Sequence, residues 1–170
     1  MIKNLIRKIL IEEIEFKDFP KGKWSLDMLN YYKSKLPNMP DYVIMDLFQE
    51  KYGKENELNL SLNVNQFKEY KWELLKNFPI SLEIFDSFSK KRIIDRMGIS
   101  GNVSWIPNDE KRHHFQQQEI KLKGIPTEPI ILLDKNDGTY MLLEGWHRTI
   151  QLLKQFPKGY LYPQVYVGYE

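Results

Sequence analysis

Pro129-Ile-Ile-Leu-Leu-Asp134, Lys135-Asn-Asp-Gly-Thr139, Tyr140-Met-Leu-Leu-Glu144 and Gly145-Trp-His-Arg-Thr149 follow one another without interruption, and this stretch decides the fold. Two short apolar runs around an Asn-Asp-Gly turn predict a β-hairpin, because Gly138 supplies the positive φ that a tight turn needs. The second strand then ends at Glu144. Beyond Gly145, apolar residues recur at Ile150, Leu153 and Phe156, with Leu152 beside them, which is one face of a short helix. Gly145 therefore stands where a strand turns into a helix.

Such a junction favours anions. A helix N-terminus offers unpaired N–H groups and a partial positive charge, and glycine lets an anion approach the backbone. His147 and Arg148, in or next to the first turn, add a titratable donor and a planar cation suited to phosphate. Cations at the positive end of a helix cost free energy unless an anion is bound, so the motif predicts a phosphate site made of Gly145, Trp146, His147, Arg148 and Thr149. Thr149 adds a hydroxyl, and Trp146 packs rather than reacts. The plainer alternative for Glu144 is a capping carboxylate or one ion-paired with His147 or Arg148.

A strand, a hairpin and then Glu144-Gly-Trp-His-Arg-Thr-Ile150 opening a helix resembles the nucleotide-binding core of the ParB/sulfiredoxin superfamily, whose signature is a strand followed by Gly-x-His-Arg or Gly-x-Arg-Arg. The resemblance covers about the last hundred residues. It implies binding of ATP, ADP or CTP, as di- or triphosphate with Mg²⁺ carried on the nucleotide, and phosphoryl transfer or NTP hydrolysis with Glu144 and His147 as the catalytic pair. A carboxylate at Glu144 is placed to hold Mg²⁺ or to take a proton from an acceptor hydroxyl. The resemblance also puts a basic residue of the preceding helix near the nucleotide; counting back from Ile130 gives Arg112, with Lys111 beside it. Sulfiredoxin chemistry itself is excluded, because that enzyme carries its reactive Cys where Trp146 stands and the chain contains no Cys.

The 170 residues, 42% of them hydrophobic, suffice for a real core. A net charge of +2 does not announce a nucleic-acid binder. The absence of Cys excludes disulfides and thiolate metal sites and suits a reducing cytoplasm. No run approaches the roughly 18 apolar residues of a membrane span, so the expectation is a soluble cytoplasmic protein without a membrane partner.

Along the chain, Ile2, Leu5, Ile6, Ile9, Leu10 and Ile14 predict an amphipathic helix over about residues 1–16. Ser25 is a candidate N-cap for a second helix ending before Pro37, and a third starts near Asp41, after Pro40, and runs toward Gly53. Tyr31, Tyr32 and Tyr42 on these helices fit a core better than a stacking platform. Alternating Leu58, Leu60, Leu62 and Val64 predict a half-exposed edge strand. Residues 70–75 and 80–85 are both candidates for the first core strand, split by Asn77-Phe-Pro79.

Residues 87–97 predict a helix that carries Lys90, Lys91, Arg92 and Arg96, a basic patch and candidate nucleic-acid contact. Residues 98–107 read as a loop, with Trp105 as its anchor, and 108–124 as another helix. His113 and His114 invite a metal reading, but adjacent helical residues point roughly 100° apart and no further ligands complete a site, so no metal is assigned. Tyr160–Tyr169 predicts a closing strand in the hairpin's sheet.

The expected architecture is α+β: a small mixed sheet with flanking helices over residues 66–170, preceded by a helical section over 1–65. Two other functions are consistent with the sequence: a DNA-binding or nuclease-like module regulated by nucleotide, and a protein-interaction module without catalysis. The oligomeric state and the phosphoryl acceptor are not encoded in any motif.

Overall fold

A computed structural model of the chain describes residues 26–48, 67–98 and 109–170. The helix expected over residues 1–16, the Ser25 cap, the strand at 58–64 and the Trp105 loop lie outside the described residues. The chain divides into two compact units, residues 1–71 and 72–170, and the protein has the mixed α and β character expected of it.

In the first unit, α1 (Leu26–Lys35) and α2 (Asp41–Phe48) form a packed helical pair. Proline at 37 and 40 forbids helix through the turn. Lys33 ties the turn down, donating to the Met39 carbonyl at 2.7 Å and pairing with Asp41 at 3.1 Å. Tyr32 is fully buried and stacks on Phe48 with ring centroids 4.8 Å apart, and Phe48 meets Phe67 edge-on. The tyrosine row is thus core at Tyr32.

The second unit is a four-stranded sheet in the order β1-β4-β2-β3, with β1 at Lys71–Ile80, β2 at Ile130–Asp134, β3 at Tyr140–Glu144 and β4 at Tyr160–Tyr169. β2 pairs antiparallel with β3 and parallel with β4. Its run Ile130, Ile131, Leu132, Leu133 is buried throughout, which is why it is continuously apolar rather than alternating. In the β2–β3 hairpin, Asn136 and Gly138 both take positive φ, 58° and 84°. Asp134 and Asp137 accept the amides of Asn136 and Thr139, at 2.7 and 2.9 Å.

Only one of the two candidate first strands is a strand. β1 continues through Asn77-Phe78-Pro79, with Asn77 in the left-handed region at φ 51°, whereas Leu82–Ile84 is a single 3-10 turn. Proline is compatible with β1 because an edge strand leaves half of its N–H groups without a ladder partner. The other edge, β3, is covered locally: Phe85 bridges to Tyr140, the Asp86 amide donates to the Tyr140 carbonyl at 2.9 Å, and the Leu142 amide donates to Ser89 Oγ at 2.9 Å.

Among the described residues, three helices complete the unit: α3 (Ser87–Arg96), α4 (Asp109–Lys123) and α5 (Trp146–Gln155). Asp86 caps α3 by accepting from the Ser89 amide at 2.8 Å. α5 joins β3 to β4 and packs on α3 and α4. Ile150, Leu152 and Leu153 enter the core with Ile93 of α3, Ile120 of α4 and Ile130, Leu132, Leu142, Val165 and Val167 of the sheet.

Candidate functional site at the β3–α5 junction

The β2–β3 ladder slips by one residue at its end: Leu132 pairs with Leu142 but Ile131 pairs with Glu144, so Leu143 bulges. A bulge bends the strand and re-aims the residues after it. The Trp146 indole N–H donates to the Leu143 carbonyl at 3.3 Å. Glu144 closes the strand, Gly145 is the N-cap in the left-handed region (φ 95°, ψ 21°), and α5 begins at Trp146.

Gly145 is buried, and two features demand it. Its φ favours glycine, and a Cβ there would lie 2.6 Å from Ile130 Cγ2 and 3.0 Å from Ile130 Cβ. The glycine thus brings α5 close against β2. Its amide donates to Oε1 of Glu144 at 3.1 Å, so the first N–H of the helix entry is held by the chain's own carboxylate.

His147 and Arg148 diverge. Arg148 donates through Nη2 to the Pro129 carbonyl at 3.0 Å. It also faces Tyr162, whose hydroxyl donates to the neighbouring Glu128 carbonyl at 2.7 Å. Burial pushes the Tyr162 phenol up to about 12, against an opposing pull from Arg148. Arg148 is thereby engaged in fixing the entry to β2. Thr149 is fully buried with its hydroxyl toward the Tyr160 phenol, which burial raises well above the ordinary tyrosine range.

His147 turns the other way. Only 9% of it is exposed, and its Nε2 lies 3.0 Å from Nη2 of Arg96, 51 residues earlier on α3. A guanidinium has donors only, so Nε2 is the acceptor in this contact. On its other side the His147 ring meets His113 of α4, centroids 4.6 Å apart, and Nδ1 of His113 lies 2.9 Å from the Gln151 side-chain amide. Arg92, one turn before Arg96, has Cζ 5.2 Å from the Trp146 ring and 5.1 Å from Phe88. Burial, then the charge of Arg96, lowers its pKa.

The basic helix α3 therefore divides. Arg92 and Arg96 face the junction, whereas Lys90 pairs with Glu83 at 2.9 Å and Lys91 with Asp95 at 2.7 Å. From α4 it is His113 that reaches the junction. Lys111 and Arg112 are exposed, and Lys111 lines a shallow depression of about 420 Å³ with Glu110, His114, Phe115 and Gln118. Among the described residues, no three His, Asp or Glu gather where they could hold a metal ion.

His113, Gln151 and Phe88 are junction residues that the motif did not name. The inner stripe of α4 is His113, half-buried Gln116 and buried Ile120, positions three and four apart, but a stripe that is mostly polar carries no apolar period to reveal it. Phe88, Arg92 and Arg96 recur every four residues, and that spacing alone would have put them on one face.

No family model, no curated protein and no solved structure matches this chain. No helix among the described residues is long and apolar enough to cross a membrane.

Proposed function

We propose that the chain is a cytoplasmic, ParB/sulfiredoxin-like nucleotide-binding protein that transfers or hydrolyses a phosphoryl group of ATP, ADP or CTP, with Mg²⁺ carried on the nucleotide. The supporting observation is the convergence of Arg96 and Arg92 with His147 at the positive end of α5, across 51 residues of sequence in the Arg96–His147 contact. Guanidinium groups gathered at a helix N-terminus repel one another and the helix dipole, and a bound phosphate relieves both.

In this reading Arg96 and His147 hold the phosphoryl oxygens, and Arg92, steadied by the Trp146 ring, adds charge from the side. Glu144 plays two parts. Its Oε1 accepts the Gly145 amide, and the carboxylate would hold Mg²⁺ carried on the nucleotide or take the proton of an acceptor hydroxyl. The test is calorimetric titration with ATP, ADP and CTP, each with Mg²⁺. Arg96→Gln lowers affinity by about tenfold or more, since a charge-assisted bond to phosphate contributes roughly 1.5–3 kcal/mol, while Lys90→Gln leaves it unchanged. Failure of the wild-type chain to bind any of the three sinks the proposal.

A further inference from the structure

Phe88, Arg92 and Arg96 lie one turn apart along α3, and the three differ in kind. At one end Phe88 is 44% exposed, although it is a large apolar side chain. In the middle the Arg92 guanidinium carbon sits between two rings, 5.1 Å from Phe88 and 5.2 Å from Trp146. At the far end Arg96 meets the buried His147 ring at 3.0 Å. Eight residues of helix separate Phe88 from Arg96, about 12 Å along the axis at 1.5 Å per residue.

A single exposed phenylalanine is ordinary on a protein surface. Here it terminates a row whose remaining members are guanidinium groups leading to the junction. Such a row recognises an elongated ligand with a flat π-system at one end and negative charge at the other. Aromatic and guanidinium planes stack on heterocyclic bases whatever their identity, and guanidinium edges match phosphate oxygens. Inorganic phosphate or a phosphosugar would use the Arg96 end alone and leave Phe88 unused.

We infer that this face of α3 binds the whole length of a free nucleotide: the base stacks on Phe88, and the phosphates lie along Arg92 toward Arg96 and His147. The inference rests on the phosphate-site reading above and adds the base subsite and its location. It also predicts weak discrimination among bases, because stacking supplies no pattern of donors and acceptors.

The experiment titrates ATP and, separately, inorganic tripolyphosphate into the wild type, Phe88→Ala and Phe88→Tyr. Phe88 is exposed and stands outside the core cluster, so its replacement leaves the core intact, and circular dichroism checks this. Phe88→Ala weakens ATP by about tenfold, the loss of one stacked base, and leaves tripolyphosphate unchanged, while Phe88→Tyr restores ATP. If Phe88→Ala binds ATP as the wild type does, the base subsite is overturned and the phosphate site stands. If the wild type binds neither ligand, both fall. If a short single-stranded oligonucleotide binds and depends on Phe88 while ATP does not bind, the free nucleotide is overturned as the ligand.

Discussion

Replacing Gly145 by alanine tests the account of the junction most directly, because the structure specifies what the new methyl group meets. With φ at 95°, an L-residue enters the left-handed region, at about 1–2 kcal/mol. Independently, its Cβ would lie 2.6 Å from Ile130 Cγ2, 3.0 Å from Ile130 Cβ and 3.4 Å from Arg148 Nη2. Ile130 is fully buried on the central strand, so it has nowhere to move, and overpacking of this kind costs about 1–3 kcal/mol. The sum, about 2–5 kcal/mol, is a large part of a typical stability of about 5–15 kcal/mol. Denaturant unfolding followed by circular dichroism should show a lower midpoint at unchanged slope. A double-mutant cycle with Ile130→Ala separates the parts: the 2.6 Å clash with Cγ2 is removed in that background, so the loss shrinks toward the backbone share of about 1–2 kcal/mol, with the 3.0 Å contact to the remaining Cβ left in place. A loss below about 1 kcal/mol for Gly145→Ala, or an identical loss in both backgrounds, would refute the claim that close packing on Ile130 fixes this glycine.

Glu144→Gln keeps an oxygen for the Gly145 amide but removes a negative charge from beside the proposed phosphate; about 1 kcal/mol of repulsion translates to about fivefold tighter ATP binding with phosphoryl turnover lost, and weaker binding contradicts the placing of phosphate beside this carboxylate. Arg148→Ala should destabilise the fold by about 1.5–3 kcal/mol, the loss of a charge-assisted bond to the Pro129 carbonyl, while ATP affinity of the folded protein holds; an unaltered melting temperature counts against a structural role. Tyr162 gives a pH signature: its folded-state value of about 12 lies above the unfolded value of 10.0, so its contribution is complete below pH 10 and is lost as pH rises toward 12. The amount is about 3 kcal/mol, and Tyr162→Phe should flatten that alkaline decline; equal declines in both proteins contradict it. Gly168→Ala would place a Cβ 2.7–2.9 Å from three atoms of the Trp72 ring, costing about 1–3 kcal/mol, and a Trp72→Ala background should remove most of that cost if the ring is the obstacle.

The parts of the fold that the sequence revealed are those whose signals are local. The hairpin shows because its turn needs Asn136 and Gly138 at positive φ, and Asn and Gly are the residues that adopt it most readily. The strand-to-helix switch shows because the apolar period changes at Gly145. β1 was ambiguous for an equally physical reason: Pro79 reads as a strand breaker until the strand is known to be an edge, which depends on where β4 lies and not on residues 71–80. At the β3–α5 junction, the motif named one turn of chain but not the side chains and carbonyls that it meets. Arg148 finds a backbone carbonyl at Pro129, and a carbonyl has no side-chain identity for a motif to register. His147 finds Arg96 across 51 residues, a contact made by the packing of α3 on α5.

The first turn of α5 thus sorts its two adjacent cationic side chains by direction, as residues roughly 100° apart on a helix must be. On one side, Gly145 lies against Ile130 and Arg148 holds the Pro129 carbonyl, so that side is spent on joining the helix to the central strand. On the other, His147 meets Arg96 and His113, and Trp146 supports Arg92. A side chain at 145 would meet Ile130 before the start of α5 reached its present distance from β2. A Gly-x-His-Arg sequence at such a junction therefore carries two separable demands, one of packing and one of charge. The packing demand is met by Gly145 and Arg148 against Ile130 and Pro129, and the concentration of charge comes from Arg96 and Arg92 of a different helix more than from the arginine inside the motif.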